Sequence, residues 1–243
     1  MERRCIFRNQ ISYEKQIFKM KLSIIIPFRD RHEHLNIFIK NTLEAFLKYF
    51  NQFEILIIEQ ADNKKFNRGK LLNIGFLESS DADFIITHDV DIIPSEKLIK
   101  EFYTINSYDA LRIFTAHEKS LGGVCKLSSR SFQEANGFPN NIWGWGIEDR
   151  ALFHRYIINK NNMSGHLKLT TFNMLKILPH KPNNEIYSGE KKKISDLEDL
   201  IFNTGNKETQ LSHFKKNGLN NINYEIISSQ KLNKHTKLIS VKL

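Results

Sequence analysis

The sequence predicts an α/β fold built on an open, mostly parallel sheet flanked by helices, and three observations predict it. Short β-branched runs recur at 21–28, 53–60 and 83–91. Apolar residues at helical spacing fill the intervals between them. Charged clusters, PFRDR (27–31) and HDVD (88–91), follow the strand runs, where sheets of this kind bind ligands outside their carboxyl ends. A β-α-β-α-β order implies right-handed crossovers.

KLSIIIPF (21–28) reads as a buried parallel strand stopped by Pro27. From Asp30 onward, Leu35, Phe38, Ile39, Leu43, Phe46, Leu47 and Phe50 recur at three- and four-residue steps, so a helix follows, with Asp30 and Glu33 resembling a capping box. FEILIIEQ (53–60) repeats the strand signal, FNRGKLLNIGFLESS (66–80) the helix signal and DFIITHDVD (83–91) the strand signal. SEKLIKEFY (95–103) is a helix capped by Ser95 after the stop at Pro94. Five of the eleven glycines then fall within 122–146, which predicts a functional loop. EDRALFHRYI (148–157) reads as a helix. Short strands near 167–178, a basic loop, a helix near 207–217 and terminal strands around 222–229 and 235–242 complete the chain.

A chain of 243 residues, 40% hydrophobic, can bury a sizeable core in one domain or at most two small ones. No apolar run approaches the roughly 20 residues that cross a bilayer, and the first twenty residues lack the apolar stretch of a signal peptide. Cys5 and Cys125 sit in unlike contexts, so no disulfide is expected. Together these predict a cytoplasmic protein. The net charge of +9 implies attraction to nucleic acid, anionic lipid or a phosphorylated small molecule, including a weak association of basic residues with a membrane surface. A solvated basic face explains the Asn/Lys-rich stretches equally well.

Asp89 and Asp91, two apart at a strand end, would point to one side of a continuing strand and could meet a divalent cation together; an imidazole such as His180 beside oxygen ligands suits Mn²⁺. Acidic strand ends are also ordinary turn features. Arg29 and Arg31, near a helix start, offer guanidinium forks to a diphosphate, and Arg68 and Lys70 add a second cationic wall. Glu148 and Asp149 open a helix, whose dipole favours their ionised forms and suits a general base. Both tryptophans lie in WGWGIED (143–149), where Trp145, between glycines, can swing and stack on a sugar. Helix capping is the plain alternative for the two carboxylates.

The stretches IIIPFRDRHEHL, FNRGKLLNIGF, HDVDIIP, GGVCKLSSRSFQEANGFPNNIWGWGIED and GLNNINYEI resemble, in order and spacing, the β-1,4-galactosyltransferase family of inverting, UDP-sugar-dependent enzymes, over about residues 22–243. The resemblance implies a GT-A fold with a Rossmann-like sheet and a C-terminal acceptor-side extension. It further implies Mn²⁺ dependence and transfer to the 4-hydroxyl of an acceptor sugar. The chain then divides into a basic extension, 1–20, and one domain, 21–243, with a nucleotide-sugar half (21–118) and an acceptor and catalytic half (119–243). By position, Pro27, Phe28, Arg29 and Arg31 resemble the uridine and phosphate contacts, and Phe66, Asn67 and Arg68 line the donor pocket. Asp89, Val90 and Gly123 would lie against the donor, and Asp91 and His180 resemble metal ligands. Trp145 resembles a mobile tryptophan that closes over the donor and meets the acceptor. Glu148 resembles a sugar contact and Asp149 the catalytic base.

Three departures stand out. Arg150, on the acceptor side, replaces a second carboxylate that the family often carries. Ile177, Leu178 and Pro179 offer no further metal ligand before His180. Ser120 stands where users of UDP-galactose commonly place a tyrosine, which leaves room for an N-acetyl group, so UDP-N-acetylgalactosamine is expected as a donor beside UDP-galactose. The competing readings are a catalytically silent UDP-sugar or glycan-binding relative and a basic nucleic-acid-binding protein; no helix-turn-helix pattern or aromatic platform supports the latter.

Overall fold

The computed structural model describes residues 20–79, 81–115, 117–144, 146–160, 166–168, 172–180 and 189–243. The extension 1–19 and Trp145 therefore lie outside the described residues. Ten strands are described: β1 (Lys21–Phe28), β2 (Gln52–Gln60), β3 (Phe84–His88), β4 (Ile92–Pro94), β5 (Ala110–Phe114), β6 (Val124–Ser128), β7 (His166–Lys168), β8 (Leu175–Ile177), β9 (Glu225–Lys231) and β10 (Thr236–Lys242). The α-helices are α1 (His32–Tyr49), α2 (Arg68–Leu77), α3 (Glu96–Leu98), α4 (Ser129–Glu134), α5 (Glu148–Lys160), α6 (Gly189–Thr204) and α7 (Lys207–Lys215).

Eight strands form one sheet in the order β7-β5-β6-β3-β1-β2-β10-β9, and β4 pairs with β8 apart from it. The centre is parallel: β3 and β2 flank β1, and β10 joins β2. Antiparallel pairs attach β6 to β3 and β9 to β10. From Leu22 to Phe28 β1 is apolar except for Ser23, because both of its faces are covered. Leu22, Ile24, Ile26 and Phe28 pack with Leu35, Phe38 and Phe46 of α1, while Ile25 joins Leu71, Leu72 and Ile74 of α2 on the other side. Helix α2 lies so close that a Cβ on Gly75 would come within 2.2 Å of Ile25 Cγ2. The chain runs from β1 to β2 on one side and returns to β3 on the other, so the crevice beyond β1 and β3 is a topological switch point.

Several expectations are corrected. The capping box of α1 does not form: Asp30 has φ 56°, Arg31 is the N-cap, and no side chain bonds the first turn. Leu47 of the expected apolar stripe is 50% exposed. Strand β3 ends at His88, and the backbone turns so that Ile92 N–H donates to Asp89 O. Asp89 and Asp91 are thus turn residues rather than alternate residues of a strand. Ser95 does cap its helix, accepting from Leu98 N–H, but the helix becomes a π-turn at Ile99–Tyr103. The glycine-rich region contains β6 and α4, and the lysine run of the expected basic loop lies within α6.

Candidate active site

The switch-point crevice gathers three groups of side chains from distant parts of the chain. In the first, Arg31 Nη1 lies 2.9 Å from Asp91 Oδ2 and His180 Nε2 lies 3.2 Å from the same oxygen. A carboxylate oxygen and an imidazole nitrogen converging at this distance form a donor pair that one divalent ion can bridge. Among the described residues no cluster of three or more metal-ligating side chains occurs, so those residues offer a bound ion this oxygen and nitrogen. Ile177, 51% exposed, adds none.

The second group centres on Arg68, the first residue of α2, whose start is capped by Asn67 accepting from Lys70 N–H. Arg68 Nε donates to Asp89 Oδ1 at 2.7 Å, and Nη1 stands 3.6 Å from Glu148 Oε1. Burial by itself would lower the guanidinium's pKa; Asp89, Glu148 and Asp149 outweigh it and hold the pKa above its usual value. Burial also raises the Asp89 carboxyl against the opposing pull of Arg68. Glu148 is pushed up to about 7, first by burial and then by Asp149, with Arg68 opposing. That upward push runs against the ionised form expected at a helix start, and burial is its first cause. Arg68 Nη2 and Glu148 Oε2 are buried without a hydrogen bond among the described residues.

The third group holds Asp149. Its Oδ2 accepts from Ser120 Oγ, its Oδ1 accepts from Arg150 N–H at 2.8 Å, and its carbonyl accepts from Leu121 N–H at 3.1 Å. Gly122, which motif reading passed over beside Gly123, permits this approach: a Cβ there would fall 2.5 Å from Asp149 Oδ2. The paired glycines were the available signal. Gly123, at φ 67°, accepts from Asp89 N–H at 3.2 Å and ties this group to the second.

The remaining site residues surround these groups. Pro27 and Phe28 end β1, with Phe28 buried in the core and its ring edge-on to His32. Arg29 donates to Lys64 O at 2.7 Å and lies over the Phe66 ring. Asn67 Nδ2 donates to Asn140 O, and Val90 is buried. Arg150 turns away from Asp149 to Ser195 and Asp199 of α6, with a 2.9 Å ion pair to Asp199. Gly144 (φ 81°), Gly146 (φ 90°) and Ile147 (φ 72°) are left-handed, and Gly144 N–H donates to Phe66 O at 2.7 Å. The two glycines are thus required by the backbone path; Ile147, β-branched, holds it under strain.

Comparison with known proteins follows this geometry. Residues 9–104 match the model described as the N-terminal region of glycosyl transferase group 7, and residues 105–181 match the N-terminal domain of galactosyltransferase. The β-1,4-galactosyltransferase 5 of Danio rerio is 33% identical over 88% of this chain and 55% of its own length. Human β-1,4-galactosyltransferase 1 is 31% identical over 90% of this chain and 54% of its own. The chain thus spans about half the length of the curated relatives it matches. Among solved structures, the catalytic domain of Drosophila β-1,4-galactosyltransferase 7 in complex with xylobiose superposes with a TM-score of 0.74 at 23% identity, covering 92% of this chain and 94% of that one. A Pyrobaculum calidifontis mannosyltransferase superposes with a TM-score of 0.52 at 9% identity, over 80% and 74%. The fold is of the GT-A type. The expectation of a cytoplasmic protein is overturned by the relatives, which are Golgi type II membrane enzymes. That no helix among the described residues is long and apolar enough to cross a membrane does not restore it.

Proposed function

Because the chain belongs to the β-1,4-galactosyltransferase family, we propose that it is an inverting glycosyltransferase that moves galactose from UDP-galactose to the 4-hydroxyl of an acceptor sugar. The observation that carries this reading is the Asp149 carboxylate, oriented through both of its oxygens at the sheet edge that also holds Arg31, Asp91 and His180. Residues 21–118 serve the nucleotide sugar and 119–243 supply the base and the acceptor side, within a single catalytic domain.

In this mechanism Asp149 takes the proton of the acceptor hydroxyl as that oxygen attacks the anomeric carbon from the face opposite UDP. The bond from that carbon to the diphosphate oxygen breaks, and its electron pair leaves with UDP. Arg29 and Arg31 attract the diphosphate, with Pro27, Phe28, Phe66 and Asn67 around the nucleotide and Asp89, Val90 and Gly123 along the donor. Arg68 and Glu148 present their unpaired buried atoms to the sugar hydroxyls. Asp91 and His180 would hold Mn²⁺, which when bound neutralises charge on the departing diphosphate. The Drosophila neighbour in complex with manganese, UDP-Gal and xylobiose supports manganese as the ion. Trp145 closes over the donor, and Arg150, held by α6, borders the acceptor.

Release of UDP from UDP-galactose, followed with and without Mn²⁺ over a panel of simple glycoside acceptors, tests the reading. Asp149→Asn is expected to lower kcat by about 10²–10⁴-fold with UDP affinity nearly unchanged. Equal turnover by the variant would remove Asp149 from its role, and UDP binding without turnover would mark a silent relative. Calorimetry of UDP with Mn²⁺ and with chelator tests the two metal ligands; equal affinities would count against them. The small side chain of Ser120, in place of a phenol, supports acceptance of UDP-N-acetylgalactosamine. A preference for UDP-galactose above roughly a hundredfold in kcat/KM would close that option. Pull-down with anionic vesicles tests weak membrane attraction through the basic residues.

A further inference from the structure

We propose that Ser120 is a positioning residue that fixes the Asp149 carboxylate for proton abstraction, a role separate from donor selection and resting on the assignment of Asp149 as base. The inference comes from the direction of the hydrogen bonds. Gly122 N–H can only donate, and it donates to Ser120 Oγ at 3.0 Å. A serine hydroxyl has one hydrogen. With an oxygen lone pair engaged by Gly122, that hydrogen is directed to Asp149 Oδ2. Ser120 is 1% exposed, so water does not compete for it.

The opposite carboxylate oxygen is held independently, by Arg150 N–H at 2.8 Å. Two donors from different parts of the chain thus grip the two oxygens and set the plane of the carboxylate, and further lone pairs are left for the acceptor's proton. Gly122 is part of the same device, since any Cβ would strike Oδ2. Torsional freedom of the carboxylate is removed before substrate arrives, which is how an outer group supports a reacting one.

The test is a double-mutant cycle on UDP release from UDP-galactose with Mn²⁺, using the best acceptor of the panel, or water where none exceeds it. Ser120→Ala in the wild-type background is expected to lower kcat about tenfold, the scale of one hydrogen bond to a charged group, with KM for UDP-galactose and calorimetric UDP affinity within about twofold. In an Asp149→Asn background the same change is expected to have no further effect, because the serine acts through the carboxylate. An additive loss in that background, or a fall in UDP affinity matching the fall in kcat, would overturn the proposal by moving Ser120's role to the donor pocket. An unchanged kcat in Ser120→Ala would overturn it as well. Failure of the base assignment is read separately, as full activity of Asp149→Asn alone.

Discussion

Among the described residues, two arginine–glutamate pairs are largely shielded from solvent, and they do different work. Arg68 faces Glu148 at 3.6 Å beyond the parallel strands, and Arg155 faces Glu198 at 4.0 Å where α5 meets α6. Helix α5 supplies a member of each, Glu148 at its first turn and Arg155 two turns later. The difference lies in which groups the two guanidiniums hold. Arg155 Nη1 donates to the carbonyls of Gly137 and Asn217, and its guanidinium lies over the Phe214 ring. It ties a loop and a helix end together. Burial pushes it down to about 10, against the attraction of Glu198. Arg68 meets carboxylates, which keep it charged, and among the described residues it makes no such bonds to backbone. Both arginines keep buried nitrogens without a hydrogen bond among the described residues, Arg68 at Nη2 and Arg155 at Nε and Nη2; what sets them apart is that Arg155 also holds two carbonyls, whereas Arg68 holds Asp89 at the sheet edge.

The comparison breaks most decisively at Arg155. Arg155→Ala leaves two carbonyls without their donor and Glu198 with His213 alone, and should destabilise the fold by about 3–5 kcal/mol in denaturant unfolding. A midpoint equal to that of wild type would end the structural reading. Arg68→Lys keeps the charge and loses the fork. It should lower kcat/KM for UDP-galactose by about a hundredfold, with a smaller change in melting temperature than Arg155→Ala causes. The reverse ranking of the two variants in the two assays would dissolve the contrast.

Glu148→Gln sharpens it through pH. With a folded pKa of about 7, above the ordinary carboxylate range, native Glu148 keeps a proton that the unfolded chain releases. Wild-type stability therefore falls as pH rises from about 4.5 to 7, and levels off above that. The glutamine variant lacks this slope, so its advantage should grow by on the order of 1–3 kcal/mol between pH 5 and pH 8. A constant difference would show that Glu148 is ionised throughout. The smallest effect belongs to His213, whose Nε2 lies 3.2 Å from Glu198 Oε1 at the partly exposed rim of the structural pair. His213→Asn should cost less than about 1 kcal/mol.

The uneven legibility of the chain has physical causes. β1, β2 and β3 were readable because strands buried on both faces must be apolar throughout. β5 and β6 were not, because each carries a buried cation. Arg112 donates to His117 O, and Lys126 donates to the carbonyls of Tyr103 and Ile105. Burial brings that lysine down to about 7. Helix α6 was hidden by its lysine-rich start, a pattern shared by solvated loops and solvated helix faces. The site motifs could be read because their uncommon residues are clustered along the chain. Their partnerships could not: Arg31 reaches Asp91 across 60 positions, and Ser120 reaches Asp149 across 29.

By itself, the sequence determined the central strands, the helices that cover them and the residues gathered at the sheet edge, since periodicity and local composition are properties of neighbouring residues. The tertiary structure decided which carboxyl is pushed up by burial and which is gripped from both sides. Glu148 and Asp149 are adjacent, at the same helix start, under the same dipole; only the packing around them buries the first beside Arg68 and brings the Ser120 hydroxyl to the second. Desolvation and hydrogen-bond direction depend on groups brought together in space, and spacing along the chain does not encode them.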